Sequence, residues 1–243
     1  MTPSDVGAPQ ATRPRLGPAL VVAVLLAGIT GFVDAVAFDR FLGVFPANQS
    51  GNAVFLGTSI GGSTTSTGWQ SGVSMAGFAL GIVAAELLRR RVRGARFGAW
   101  LLAAEVVLFA VAIAITGPID GVHIIGGVEG YVLIVLISMA MGVQTLVVRH
   151  VAGTAVATTY QTGAIARMGA AVTRVVSRES RLREEGELAV LVLVLAAYVG
   201  GAAVGAAPPG EWRWALALAA GVVAATAVVY FAAPEWVVSA SAE

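Results

Sequence analysis

The sequence contains no cysteine and no lysine, and it has only two histidines, His123 and His150. Without cysteine the chain can form no disulfide, no thiolate metal site and no cysteine nucleophile. Two histidines are too few for a histidine-built metal centre. We therefore expect neither a metal nor a cofactor.

Charge is also scarce. Charged residues make up 12% of the 243 residues, the net charge is +1, and 57% of the residues are hydrophobic. A soluble domain carries about 25% charged residues, and a nucleic-acid binder needs a basic surface that a net charge this small does not supply. Together with a mean hydropathy of +0.83, this excludes an ordinary soluble enzyme and predicts an integral membrane protein whose first partner is the lipid bilayer.

Six apolar stretches are long enough to cross a bilayer, for which about 20 residues are needed. The first is preceded by Arg13 and Arg15, as in a signal peptide, but it lacks a small-residue cleavage pattern. We therefore interpret it as an uncleaved span. The six predicted spans are approximately 18–38, 69–88, 97–117, 129–148, 187–206 and 212–233.

The arginines predict the orientation, because basic residues collect in cytoplasmic loops. With the N-terminus inside, twelve of the fifteen arginines lie on the inner side and only Arg40 and Arg213 lie outside, with Arg167 unassigned. We therefore expect both termini in the cytoplasm, as a disordered tail over residues 1–17 and a second tail over residues 235–243.

Two further apolar segments, 51–61 and 163–175, are too short to be spans. The first would form only about 16 Å of helix, roughly half of the hydrocarbon core. If it crossed the membrane alone, the five arginines between 89 and 96 would be forced outside. We interpret both as half-helices within re-entrant segments, 41–61 and 151–175.

The chain contains an internal repeat. Gln49-Ser50-Gly51 is followed by Gly57, and Gln161-Thr162-Gly163 is followed at the same spacing by Gly169, with an offset of 112 residues. Each half, 18–118 and 119–234, then holds three spans and one re-entrant segment. Because three is odd, the second half runs in the opposite direction, as in many transporters. A duplication kept for folding alone is the alternative.

The predicted fold is therefore an all-α polytopic membrane protein with six transmembrane helices and two re-entrant half-helices in two inverted repeats. Half-helix N-termini that face each other across the core would favour an anion or a polar group. Ser50 or Thr162 would be the N-cap. The predicted solute-binding residues are Asn48, Gln49, Ser50, Gly51, Asn52, Tyr160, Gln161, Thr162, Gly163 and Arg167. The alternative is that the amides only satisfy the irregular backbone.

Acidic residues within spans indicate a role, since burying a charge in the membrane costs several kcal/mol. Glu105 is nearest the middle of a span and is our candidate for a proton or cation relay, against a buried structural hydrogen bond. Asp34 either contributes to the relay and solute site or holds the neighbouring loop, and Gln144 is its approximate counterpart in the second half. Glu86 is expected to pair with Arg89 or Arg90. Close helix packing is expected at glycines 28, 31, 77, 81, 200, 201 and 205.

The motifs resemble a known family. Gly31-Phe32-Val33-Asp34-Ala35, then Phe45-Pro46-Ala47-Asn48-Gln49-Ser50-Gly51-Asn52, and later Gly142-Val143-Gln144 with residues 158–163 (TTYQTG), are similar to the paired signatures of the YoaK-like family of bacterial integral membrane proteins. The chain departs from the family with Gln49-Ser50, where Met-Thr is usual. The resemblance implies several helices in the bacterial cytoplasmic membrane, and it implies no substrate.

The function predicted from this architecture is a secondary transporter or channel for a small polar or anionic solute. An enzyme is not expected: an intramembrane aspartyl protease needs two facing aspartates, and Ser50 has no evident base. A non-transporting scaffold or accessory subunit is the alternative, and the sequence leaves a homo-oligomer open.

Overall fold

A computed structural model gives the architecture of the chain. The described residues are 17–39, 43–62, 67–92, 94, 96–115, 127–148, 150–151, 154–156, 158–159, 161–177, 181–207 and 212–232, with the side chains of 181–185 left out. The predicted tails, apart from residue 17, and the predicted site residue Tyr160 lie outside the described residues.

The described part of the chain is helical, with one pair of two-residue strands. The elements are α1 (Pro18–Ala37), α2 (Gln49–Ile60), α3 (Gly68–Arg91), α4 (Phe97–Ile115), α5 (Val128–Gln144), β1 (His150–Val151), β2 (Thr154–Ala155), α6 (Thr162–Val176), α7 (Arg181–Ala206) and α8 (Trp212–Ala232). The all-α class is therefore confirmed. The two strands pair antiparallel, with His150 opposite Ala155.

Five of these helices are long and apolar enough to cross a membrane: α1, α3, α4, α7 and α8. The predicted fourth span is shorter than expected, because α5 ends at Gln144 after 17 residues. The chain then turns over residues 145–147, and Thr145 Oγ1 donates to Met141 O at 3.0 Å. The prediction that this span continues to residue 148 is therefore wrong in its end point.

Two other boundaries also differ from the prediction. α3 continues to Arg91, and three arginines occupy its last turn, where the helix dipole favours positive charge. α7 begins at Arg181 rather than at residue 187, because the charged residues before its apolar part are good helix formers. The expected ion pair at the end of α3 is confirmed, with Arg89 Nε and Glu86 Oε2 2.6 Å apart.

α1 and α7 pack in parallel through small residues. A Cβ added at Gly201 would overlap the carbonyl oxygen of Gly28, and one added at Gly205, a turn later, would lie 2.6 Å from that of Phe32. Residue numbers rise together along both helices, so the two helices run in the same direction. Gly31 is equally tight, since an added Cβ would overlap the carbonyl oxygen of Tyr198.

α3 and α5 form a second crossing of the same kind. An added Cβ would lie 2.9 Å from the carbonyl oxygen of Val135 at Gly77, and it would overlap that of Met139 at Gly81. On the other side, Gly142 of α5 meets the carbonyl oxygen of Phe78. Close packing is thus confirmed at residues 31, 77, 81, 201 and 205. At Gly200 the prediction is wrong, because an added Cβ would meet no described atom within 4 Å.

α4 and α8 pack antiparallel and complete the bundle. Gly98 near the start of α4 meets the ring of Tyr230 near the end of α8, and Arg213 Nη2 at the start of α8 donates to Ile113 O at 3.1 Å. α4 also packs on α5, and α1 packs on α8. The half-length helices α2 and α6 pack on α3 and α7 respectively.

Candidate functional site

The two segments that precede the short helices contain most of the predicted site residues. We call residues 43–52 the first tip, and residues 158–163 without Tyr160 the second tip. Each leads into a short helix, α2 of 12 residues or α6 of 15 residues. The helices begin at Gln49 and Thr162, with Asn48 and Gln161 as N-caps, so the predicted N-caps Ser50 and Thr162 are wrong. Neither capping side chain accepts a hydrogen bond from a backbone N–H of its helix.

In the first tip, Asn52 holds the irregular backbone from the side. Its Oδ1 accepts the N–H of Phe45 at 3.0 Å, and its Nδ2 donates to the carbonyl of the same residue at 2.5 Å. The Asn52 side chain is fully buried. An irregular backbone inside a membrane must find internal partners, and Asn52 supplies both for this peptide.

Gln49 and two serines extend this network into the bundle. Gln49 Nε2 donates to Pro46 O at 2.7 Å, and Gln49 Oε1 accepts from Asn52 Nδ2 at 2.9 Å. Ser74 on α3 donates to Phe45 O at 3.0 Å, and its Oγ lies 2.8 Å from that of Ser138 on α5. The amides of the first tip are therefore engaged with protein groups.

The remaining predicted residues of the first tip are less enclosed. Ser50 is exposed, and its hydroxyl donates to Asn48 Oδ1 at 2.8 Å. Gly51 is required sterically, because an added Cβ would lie 2.9 Å from the ring of Phe45. That ring is stacked on Phe38, with centroids 4.5 Å apart. The geometry thus gives Asn48 and Ser50 a bond to each other, and it gives Gly51 a packing role.

Asp34 joins the first tip to α7. Its Oδ1 accepts the N–H of Ala47 at 2.8 Å, and its Oδ2 accepts the hydroxyl of Tyr198 at 2.7 Å. Only 2% of Asp34 is exposed. Since Ala47 directly precedes the N-cap of α2, the carboxyl group lies at the N-terminal end of this helix, where the dipole favours negative charge. The first tip therefore carries its own acidic group.

The second tip is different, because its buried polar atoms are mostly unpartnered. Thr159 Oγ1 lies 3.0 Å from Thr145 Oγ1, which fixes this tip beside the end of α5. The neighbouring Thr158 Oγ1 and both amide atoms of Gln161 are buried, and none has a hydrogen-bond partner among the described residues. Buried polar groups without partners are uncommon and need an explanation.

Gln144 lies directly beside this junction. Its Nε2 donates to Leu26 O at 3.1 Å and to Thr30 Oγ1 at 2.7 Å, both in the middle of α1. Its Oε1 is fully buried and, within the described ranges, has no partner. Gln144 is the approximate counterpart of Asp34 in the sequence pairing, and the register that pairs Gly31 with Gly142 places Thr145 opposite Asp34. The second tip therefore has an amide and a hydroxyl where the first tip has an acid.

Arg167 lies on the side of α6 that carries the buried residues Ala164 and Ala171. Its Nε is buried and has no partner in the described part of the chain. Arg174, two turns later on the same side, pairs with Glu187 of α7 at 3.0 Å. Thr162 and Gly163 form the first turn of α6. Because helical side chains lean toward the N-terminus, Arg167 can reach toward the second tip.

Glu105 lies in the middle of α4, away from both tips in the chain. It is 0% exposed, and both carboxyl oxygens lack a hydrogen-bond partner among the described residues. Within the described ranges, the Glu105 carboxyl therefore holds no other protein group in place by a hydrogen bond. Its role as a relay stays a prediction.

Several residues of these networks were not singled out from the sequence. Three of them are buried and hydrogen-bonded: Ser74, Ser138 and Thr30. The fourth, Thr158, is buried and has no hydrogen-bond partner among the described residues. Polar residues inside apolar stretches were the available signal. However, serine and threonine can bond their own helix backbone, so the sequence does not distinguish such residues from those that join two helices.

The helices and their composition define a multi-pass helical membrane protein. Residues 22–229 match the family described as "Protein of unknown function (DUF1275)", and the chain belongs to this family. It is 28% identical over 149 residues to the UPF0700 transmembrane protein YoaK of Bacillus subtilis (strain 168). That match covers 59% of this chain and 63% of the relative, which is less than two thirds of its length. No solved structure matches. The resemblance to the YoaK-like family is thus confirmed.

Proposed function

We propose that the chain is a secondary transporter or channel for a small polar or anionic solute, bound near the bilayer midplane between the N-termini of α2 and α6. The observation that carries the proposal is the pair of short helices, each beginning beside the middle of a longer partner. Six spans in two inverted repeats, with both termini in the cytoplasm of a bacterial inner membrane, are part of the same proposal.

The two parallel crossings support the inverted repeat. A Cβ added at Gly31 would overlap the carbonyl oxygen of Tyr198, and one added at Gly142 would overlap that of Phe78. The sequence repeat places Gly31 opposite Gly142, at an offset of 111 residues. If the halves are equivalent, the α1–α7 crossing corresponds to the α5–α3 crossing, and the packing of α2 on α3 corresponds to that of α6 on α7. A two-fold arrangement of this kind is typical of transporters with inverted repeats.

The depth of the first tip supports a re-entrant segment. Gly68 at the start of α3 packs on Ser59, and Gly72 packs on Leu56. α2 therefore runs antiparallel to α3 and begins beside residues about nine positions into it. That is about 14 Å from the start of α3, close to half of a roughly 30 Å hydrocarbon core.

The second tip would lie at a comparable depth, measured from the start of the apolar part of α7. Arg174 is paired with Glu187, which lies at the start of the apolar part of α7. Thr162 is twelve residues before Arg174, and an antiparallel α6 would therefore begin about 18 Å deeper along α7. The bonds from Gln144 to the middle of α1 agree with this depth.

The contacts that α5 and its C-cap residue make with the two tips support the proposal that the tips lie close together. Ser138 is bonded to the Ser74 hydroxyl at the first tip, and Gln144 adjoins the second tip. The two residues are six positions apart, about 9 Å along the helix axis. A solute between the tips would thus lie against the same helix.

Solute flux into proteoliposomes tests the proposal. The assay compares empty liposomes, the wild-type protein, Glu105→Gln and Arg167→Gln, with lactate, alanine, phosphate, chloride and urea as solutes. Glu86→Gln is the matched control, because Glu86 belongs to an ion pair at the end of α3. We expect flux with the wild-type protein and the control, and reduced flux with Arg167→Gln. If the flux of every solute equals that of empty liposomes, the result would favour a non-transporting scaffold. If the wild-type protein and all variants give equal flux, the result would contradict the proposed solute site.

The proposal includes no catalytic step. Ser50, the exposed serine of the first tip, donates its hydrogen bond to Asn48 rather than to a side chain that could act as a general base.

A further inference from the structure

The two tips differ in a way that identifies which of them is free to bind a solute. At the first tip, Asn52 and Gln49 are bonded to the backbone of residues 45–46, and the carboxyl of Asp34 faces the start of α2. The amide groups therefore already have partners within the protein, and the backbone that leads into α2 already has a carboxyl beside it. A solute would have to displace them.

The second tip also leads into a short helix, but it lacks the acid. Gln144 and Thr145 are the residues that the sequence repeat brings opposite Asp34, and α6 has no acidic residue in its first turn. Gln144 Oε1, Thr158 Oγ1 and both amide atoms of Gln161 are buried and have no hydrogen-bond partner among the described residues. Gln144 is 0% and Thr158 is 1% exposed. An unpaired buried polar group is expensive inside a membrane.

Arg167 strengthens this contrast. It stands five residues into α6, and its Nε is buried without a partner among the described residues. An arginine within the hydrocarbon region is costly unless an anion or a carbonyl accompanies it. Helix N–H groups, an arginine and the Gln161 amide nitrogen together form a set of donors that suits a carboxylate.

The remaining atoms specify the rest of the ligand. Gln144 Oε1 and Gln161 Oε1 are acceptors, so they need a donor that a simple carboxylate lacks. Thr158 can donate or accept. We infer that, of the two tips, the second supplies the groups that bind the solute, and that the ligand is a small carboxylate that also carries a hydroxyl or ammonium group. The ligand's carboxylate would take the place that the Asp34 carboxyl takes at the first tip.

This inference rests on the proposed function, since it takes the solute to bind at a tip. Its test is binding to the purified full chain in nanodiscs, measured by titration calorimetry and by thermal unfolding. Four three-carbon probes separate the chemical requirements: lactate and alanine carry both groups, propionate lacks the donor, and lactamide lacks the charge. We expect lactate or alanine to bind, propionate to bind about tenfold more weakly for the loss of one hydrogen bond, and lactamide not to bind.

Gln161→Glu is the decisive variant. It is isosteric, breaks no described hydrogen bond, and places a fixed carboxylate at the N-terminus of α6, where negative charge is favourable. We expect an unchanged or higher melting temperature without ligand and loss of lactate or alanine binding. Thr158→Val removes an unpartnered hydroxyl, so we expect it to be at least as stable as wild type and to bind the probe more weakly. Thr173→Ala, on the exposed side of α6, is the control and should bind as wild type does.

The outcomes separate this inference from the proposed function. Probe binding that Gln161→Glu abolishes, without flux of that probe, would support the second tip as a binding site and overturn transport. Flux of any solute with no binding of the four probes would overturn the ligand class and leave transport standing. Normal probe binding in Gln161→Glu would overturn the site.

Discussion

The hydroxyl of Tyr198 on α7 donates a hydrogen bond to the carboxyl of Asp34 on α1, with Oη and Oδ2 2.7 Å apart. The other oxygen of the same carboxyl accepts the N–H of Ala47. One buried side chain thus connects two helices and the first tip. Acceptance on both oxygens is what a carboxylate offers.

Loss of this carboxyl should destabilise the protein more than loss of the tyrosine hydroxyl. We expect Tyr198→Phe to lower the free energy of unfolding by about 1 kcal/mol and Asp34→Ala by about 2–4 kcal/mol. The double variant should resemble Asp34→Ala, because the tyrosine bond is already absent there. Chemical unfolding of the purified variants measures these differences. Fully additive effects would contradict a shared interaction.

Asn52→Ala should be among the more destabilising single changes. It leaves the N–H and the carbonyl of Phe45 without their Asn52 partners in a buried place, for which we expect a loss of about 2–4 kcal/mol. Thr58→Ala, at an exposed position of the same helix, is the matched control and should stay within about 0.5 kcal/mol of wild type. Thermal unfolding in detergent compares the two. Equal stability of both variants would mean that the first tip is not held by Asn52.

Two adjacent glycines should respond in opposite directions. A Cβ at Gly201 would overlap the backbone of Gly28, whereas one at Gly200 would meet no described atom within 4 Å. We expect Gly201→Ala to lower the free energy of unfolding by about 1–3 kcal/mol through overpacking. Gly200→Ala should raise it by up to about 1 kcal/mol through helix propensity. The same unfolding assay reports both, and a stable Gly201→Ala protein would argue against the close α1–α7 crossing.

Replacing Glu105 by methionine should stabilise the protein. The carboxyl is buried and has no described partner, so an apolar side chain of similar size removes an unfavourable burial of about 1–3 kcal/mol. Such a gain would indicate that Glu105 is retained for activity rather than for folding. Destabilisation of the Glu105→Met protein would instead assign the carboxyl a structural role.

Single cysteines can test the threading of the chain, because the native sequence has none. Ile60, Val128 and Val176 are 73%, 79% and 75% exposed and lie at helix ends. With six spans and the N-terminus inside, a membrane-impermeant maleimide added to intact cells should label Ile60→Cys and Val128→Cys. Val176→Cys should react only after permeabilisation. Labelling of Val176→Cys in intact cells would exclude this topology.

The membrane class, the helical architecture, the family and most helix positions were predictable from the sequence. They depend on local composition: an apolar stretch of about 20 residues can satisfy its backbone in lipid only as a helix. The end of α5 was not predictable in this way, because the helix ends where Thr145 contacts Thr159, fourteen residues later in the chain. The prediction for Gly200 failed for a related reason, since which side of α7 faces α1 depends on packing.

In the sequence, both tips carry the same Gln-Ser/Thr-Gly motif, which predicts equivalent roles for Gln49 and Gln161. Only the tertiary structure distinguishes them. Gln49 finds its partners in the backbone of its own tip, whereas the amide of Gln161 is buried without one among the described residues. A motif specifies which hydrogen-bonding groups are present, but whether they are already paired depends on neighbours that folding brings from elsewhere in the chain.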